Sequence, residues 1–107
     1  MENHLFNENH CIGATYRKRT KKWECRVRYL QKVYWIGSYS DKETAGRIYD
    51  VASKIILGPG RNMNYDGQPP DGMSVSDVFR LILESGFPRE TLISRLADMA
   101  RIRENFN

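Results

Sequence analysis

The sequence predicts an α+β fold in which a three-stranded antiparallel sheet packs on one α-helix and is followed by a C-terminal helical hairpin. Three observations carry this expectation. Lys22 to Tyr29 alternates polar and apolar residues at all eight positions, the period of a strand with one wet face. A second extended run, Lys32 to Tyr39, follows after only Leu30-Gln31, so a tight hairpin is the economical connection. From Ser40 the apolar period changes to that of a helix, and it changes back only at Gly58-Pro59-Gly60.

Each element has its own justification. Trp23, Val27, Leu30 and Tyr34 also suit a helical spacing, but the aromatic and β-branched content of the segment favours a strand. Ahead of it, Gly13 to Arg19 supplies the remaining strand, with Arg19-Thr20-Lys21 as the turn. Ser40-Asp41-Lys42-Glu43 reads as a capping box in which the Ser40 hydroxyl accepts from the Glu43 amide. The helix it opens carries Ala45, Ile48, Tyr49, Ala52, Ile55 and Ile56 on one stripe, and Gly58 serves as a left-handed cap. Gly46 inside this helix costs about 1 kcal/mol relative to alanine, which close approach to the sheet would explain. Ser74 to Asp77 caps a further helix bearing Val78, Phe79, Ile82 and Leu83; Gly86 ends it and Pro88 opens the last, with Leu92, Ile93, Leu96, Met99 and Ala100.

The chain of 107 residues therefore divides into a loose polar tail (1–11), a sheet-and-helix domain (12–65), a turn-rich linker (66–73) and the helical hairpin (74–107). A hairpin of that size buries little alone, so it is expected to pack on the first domain, on a second copy or on a partner. No run approaches the roughly 20 apolar residues of a spanning helix, and Met1-Glu2-Asn3-His4 does not begin a basic-then-apolar leader, so neither membrane insertion nor export is expected. Cys11 and Cys25 lack the spacing of a zinc pair or a disulfide framework, which points to a reducing compartment.

Charge is distributed unevenly. The net charge is +4, yet residues 1–65 hold twelve Lys and Arg against six Asp and Glu, while residues 66–107 hold five against seven. Between Tyr16 and Lys32, eight basic residues face Glu24 alone. Such a field attracts polyanions. In a strand, Lys22, Glu24, Arg26 and Arg28 project from one face, and Trp23, Cys25, Val27 and Tyr29 from the other. The apolar side meets the helix stripe; the cationic side is left for solvent or a ligand. A β-ribbon enters the major groove of B-DNA, where arginine donates two hydrogen bonds to guanine. Trp35, if it shares the face, packs on sugar, thymine methyl or base edges, and the lysines act on phosphates.

These residues carry a family resemblance. Gly13-Ala14-Thr15, Lys22-Trp23-Glu24-Cys25-Arg26-Val27-Arg28, Tyr34-Trp35-Ile36-Gly37-Ser38-Tyr39, Ala45 to Ala52 and Met63-Asn64-Tyr65 together resemble the APETALA2/ethylene-response-factor DNA-binding domain over residues 12–65. The resemblance implies a sheet lying in the major groove of double-stranded DNA, no cofactor, a nuclear location and a role in transcription regulation. It places the DNA-contacting positions on Arg17 or Arg19 in the first strand, on Lys22, Arg26 and Arg28 in the second, and on Trp35 in the third. Thr15, Arg26 and Val33 depart from the ethylene-response type, which usually carries arginine, an acid and arginine there, so the DNA elements of that type do not transfer. The turn before Lys22 is one residue longer, closer to the APETALA2 type and to similar domains of homing endonucleases.

Other readings are weaker. His4, His10 and Cys11 lack a fourth metal ligand, Gly58-Pro59-Gly60-Arg61 lacks the Lys-Ser/Thr of a phosphate loop, and no nucleophile, base and oxyanion set is visible, so neither a metal site nor catalysis is expected. Asn64 is expected to bond backbone and fix the return segment. The competing class is a small adaptor or assembly subunit that works through residues 74–107, as a self-association or partner surface, and binds DNA or RNA without sequence choice. A targeting module beside a nuclease ranks third.

Overall fold

The computed structural model describes residues 11–105, with side chains described as far as residue 100. The order is β1 (Ala14–Arg17), β2 (Lys22–Tyr29), β3 (Lys32–Tyr39), α1 (Lys42–Leu57), α2 (Val75–Glu84) and α3 (Arg89–Asn105). The strands form one antiparallel sheet in the order β1-β2-β3, so β2 is central. The fold is α+β, with the sheet, α1 and the two C-terminal helices as the sequence predicts.

The β2–β3 hairpin turns on two residues in left-handed backbone, Leu30 (φ 49°) and Gln31 (φ 68°). That geometry belongs to a type I′ turn, whose twist matches the flanking strands although neither residue is the Asn or Gly it prefers. One bulge interrupts the pairing: Cys25 opposes Gly37 but Arg26 opposes Trp35, leaving Ile36 as the extra residue. Gly37 sits at φ 121°, and a Cβ there would run into the Tyr39 ring and hydroxyl. The Tyr39 hydroxyl donates to the Ile36 carbonyl at 2.6 Å, closing the bulge. The bulge turns both Ile36 and Tyr39 inward while Trp35 and Ser38 face out.

The core lies between the inner face of the sheet and α1. Cys25, Val27, Tyr34 and Ile36 meet Ile48, Val51, Ala52, Ile55 and Ile56, all buried. Val78, Ile82, Phe87 and Leu92 belong to the same cluster. The C-terminal helices thus pack on the sheet-and-helix unit. Phe87, in the connection between α2 and α3, places its ring edge-on against Tyr34 at 4.9 Å and tilted against Tyr29 at 5.4 Å. A smaller cluster of Cys11, Ala14, Trp23 and Ala45 closes the β1 side. Burial pushes the Cys25 thiol up to about 12, as befits a small hydrophobe.

Four local expectations are corrected. The N-cap of α1 is Asp41, one residue after Ser40: its carboxylate accepts from the Thr44 amide at 2.9 Å and the Thr44 hydroxyl at 2.7 Å. A carboxylate has two oxygens for two donors and a charge suited to the helix N-terminus, which the Ser40 hydroxyl lacks. Glu43 is then released to pair with Arg47 one turn on. The strand expected to reach Arg19 ends at Arg17, because the Lys21 amide bonds back to the Arg17 carbonyl and Lys21 turns to φ 59°. Gly58 ends α1 at φ 98°, ψ 169°, outside the left-handed helical well but in a region that essentially glycine alone adopts. Gly46 lies close to the return segment, not the sheet: a Cβ there would stand 2.7 Å from the Tyr65 ring and 3.2 Å from the Cys11 sulfur.

That return segment is pinned by the buried Asp50 and the half-buried Asn64. Asp50 accepts from the Asn64 and Tyr65 amides at 2.8 and 2.7 Å, and Asn64 brackets Ile12, accepting from its amide at 2.7 Å and donating to its carbonyl at 2.9 Å. The expected role of Asn64 is therefore observed. The chain ahead of β1 is tied to the helix behind it. Cys11, assigned by sequence to the tail, is buried at this junction, while the remaining tail, with His4 and His10, lies outside the described residues.

Candidate nucleic-acid interface

The alternation in β2 appears in three dimensions as predicted. Trp23, Cys25 and Val27 are buried, whereas Lys22 and Arg28 are exposed and Glu24 and Arg26 are partly exposed. Pairing then extends the outer face across the sheet. Thr15 stands opposite Glu24, Arg17 opposite Lys22, Trp35 opposite Arg26, Val33 opposite Arg28, and Ser38 opposite Glu24 on the other side.

Of the six residues singled out by sequence, Arg17, Lys22, Arg26, Arg28 and Trp35 therefore lie on one face. Arg19 is an exposed residue of the β1–β2 turn and does not belong to either strand. Trp35 is 52% exposed, which settles its direction away from the core. An indole so exposed in mid-strand leaves its apolar area uncovered.

Two side-chain links organise the face. The Arg17 Nε donates to Glu24 Oε1 at 2.9 Å, and the Arg26 Nη1 donates to the Thr15 hydroxyl at 2.5 Å. Each link crosses between β1 and β2. Neither Lys22 nor Arg28 has an ion pair among the described residues. Arg17, Glu24, Trp35, Gly37 and Ser38 line a shallow open depression at the centre of the face. Parity within β2 had already put Glu24 on this surface; Thr15 and Ser38 were not identified from sequence and join it once the cross-strand register is drawn.

The dimensions suit a groove. Neighbouring strands are about 4.8 Å apart, so three strands span about 10 Å between backbones, against a major-groove width of about 12 Å in B-DNA. Among the described residues no group of three or more His, Cys, Asp or Glu is placed to hold a metal ion, and no helix is long and apolar enough to cross a membrane.

No family model matches the chain. Among curated proteins it is similar to ethylene-responsive transcription factors of Arabidopsis thaliana. It is 33% identical to ERF016 over 58 residues, covering 50% of this chain and 27% of that protein. With ERF025 it shares 35% identity over 60 residues, 54% of this chain and 26% of that one. A longer match, 32% over 94 residues, joins it to ERF012, covering 83% of this chain and 39% of the relative. The chain spans between about a quarter and two fifths of the length of the curated relatives it matches.

Proposed function

We propose that this chain is a DNA-binding protein of the APETALA2/ethylene-response-factor type, acting in the nucleus as a regulator of transcription, with no catalytic role. Its sheet lies in the major groove of double-stranded DNA and reads sequence through the outer face. The observation that carries this reading is the grouping of Arg17, Lys22, Arg26, Arg28 and a half-exposed Trp35 on one face of a sheet whose other face buries Cys25, Val27, Tyr34 and Ile36 in the core. Similarity to transcription factors over about half the chain supports it from a separate direction.

The roles follow from chemistry. Arg17, Arg26 and Arg28 present donors to guanine N7 and O6; Lys22 and the turn residue Arg19 neutralise phosphate; the Trp35 indole packs on sugar or a thymine methyl. Selection of duplexes from a random pool by the purified protein is expected to enrich one short motif. Replacing Arg26 and Arg28 by alanine is expected to weaken binding to that motif by about 2–6 kcal/mol in total while leaving the melting temperature near that of the parent, since neither side chain enters the core. Unchanged affinity in the folded double variant would overturn the assignment.

The adaptor reading retains one observation in its favour: Val75 and Ile93, on the C-terminal helices, are each more than half exposed. It is distinguished by the same selection, because a non-specific binder enriches nothing and loses affinity steeply with salt.

A further inference from the structure

The outer face of the sheet contains one acid, and its place is unusual. Glu24 sits in the middle strand with Thr15 and Ser38 on either side, at the centre of the cationic surface, where its charge opposes the approach of any polyanion. A carboxylate there weakens the general attraction to phosphate. A solvated charge without a task would suit the rim better than the centre.

The geometry of its partner supplies the task. Glu24 receives its hydrogen bond from Arg17 Nε, the proximal nitrogen of the guanidinium. That leaves the distal edge, Nη1 and Nη2, free of the carboxylate. The distal edge is the pair of parallel donors that matches guanine O6 and N7. Arg17 is 52% exposed and its carboxylate partner only 27%, so the anchor is the more enclosed member and the reading edge the more open one. An arginine held by its inner nitrogen surrenders side-chain freedom before DNA arrives, and a rigid fork discriminates bases better than a mobile one.

From this geometry we infer that Glu24 is a positioning residue that orients Arg17 to read one guanine, so that sequence choice at that base pair depends on an acid that itself reduces overall affinity. The inference rests on the proposed major-groove reading. It assigns Arg17 to base recognition and leaves Arg19, in the turn, to phosphate.

The experiment is selection and sequencing of bound duplexes, run in parallel on the full chain and on Glu24→Ala, Glu24→Gln, Arg17→Ala and Arg19→Ala, with thermal melting of each to confirm the fold. Glu24→Ala is expected to lose preference for guanine at one position, by on the order of tenfold, with the other positions of the motif retained. Its affinity for random duplex should rise or stay level. Arg17→Ala should relax the same position, Glu24→Gln, which keeps an acceptor for Nε, should restore part of the preference, and Arg19→Ala should weaken binding uniformly. A motif that survives Glu24→Ala unchanged at every position overturns the inference and leaves the major-groove reading intact. Relaxation in Glu24→Ala at a position other than that lost in Arg17→Ala also overturns it. Absence of any enriched motif in the parent chain instead refutes the functional reading on which it stands.

Discussion

Asp50 is the residue on which attachment of the chain ahead of β1 is expected to depend most. It is 1% exposed, on the α1 stripe beside Ile48 and Val51. Its carboxylate accepts the Asn64 amide, the Asn64 side-chain amide at 3.2 Å and the Tyr65 amide. Hydrogen bonds to a charged group contribute about 1.5–3 kcal/mol each, so three amount to roughly 4–9 kcal/mol before the cost of burying the carboxylate, itself several kcal/mol, is set against them. Truncation leaves that desolvation relieved but two backbone N–H groups without partners. Asp50→Ala is therefore expected to destabilise by about 3–5 kcal/mol, much of the roughly 5–15 kcal/mol typical of a domain. Asp50→Asn keeps one acceptor oxygen and turns an N–H donor toward another, and should cost about half as much. Urea unfolding followed by tryptophan fluorescence measures both: with a slope of about 1.5 kcal/mol per molar, the midpoint of the alanine variant should fall by about 2–3 M. Asn64→Ala combined with Asp50→Ala should cost less than the sum of the two, since they share the clasp that holds Ile12. A loss under about 1 kcal/mol for Asp50→Ala, or strict additivity, would refute the account.

Two further outcomes follow from local backbone and capping. Replacing Leu30 by Asn and Gln31 by Gly should raise stability by about 1–2 kcal/mol, because both positions hold left-handed backbone that their present residues adopt at a cost, and Leu30, 80% exposed, gives up no packing. A thermal melt that does not move upward by several degrees would show that the turn is not the type described. Asp41→Ala should cost about 1 kcal/mol near neutral pH. The Thr44 amide, then the Thr44 hydroxyl, hold the Asp41 carboxyl below its ordinary 3.8, so its stabilisation is present above that value and disappears as pH falls through the lower folded value. Melting temperatures of parent and variant should differ at pH 7 and converge toward pH 2; a constant gap would rule out the charged cap.

How much of this was legible in the sequence depends on the range of the interaction that decides each feature. Lys22 to Tyr29 and Lys32 to Tyr39 have the same bounds in the structure as in the pattern, because polar and apolar alternation is written residue by residue and burial of one face enforces it. The N-cap of α2, Ser74 with Asp77, was likewise local and appears as a reciprocal pair at 3.2 and 2.9 Å. Asp41 displaced Ser40 as the cap because both residues belong to the preferred set and the choice rests on where β3 releases the chain. The bulge at Ile36 leaves no mark in the periodicity of β3 alone. It requires the register against β2, and that is why the side taken by Trp35 could be stated from sequence only as a condition. Asp50 reads from sequence as one more polar residue in a helix; its partners lie fourteen and fifteen residues away, and one of them, Asn64, bonds Ile12 from a distance of 52 residues. The approach of Gly46 to Tyr65 belongs to the same long-range junction.

The candidate surface shows the same separation of local from distant causes, and on the proposed reading it divides specificity from affinity. Parity alone put Lys22, Arg26 and Arg28 together, but it counted charges without pairing them. In three dimensions Arg17 is neutralised by Glu24, and Arg26 spends one donor on Thr15. The unpaired cations Lys22 and Arg28 lie toward opposite ends of β2, and Lys18, Arg19 and Lys21 occupy the neighbouring turn. On that reading the face meets DNA with one internal ion pair and the still-charged Arg26 at its centre, and a more densely charged rim. Counterion release, which scales with the number of phosphates neutralised, is then governed by the rim, while the centre contributes directed hydrogen bonds whose strength varies with the base presented. The central acid lowers attraction to every sequence alike and sharpens it for one, so this sheet is organised for discrimination more than for tight general binding.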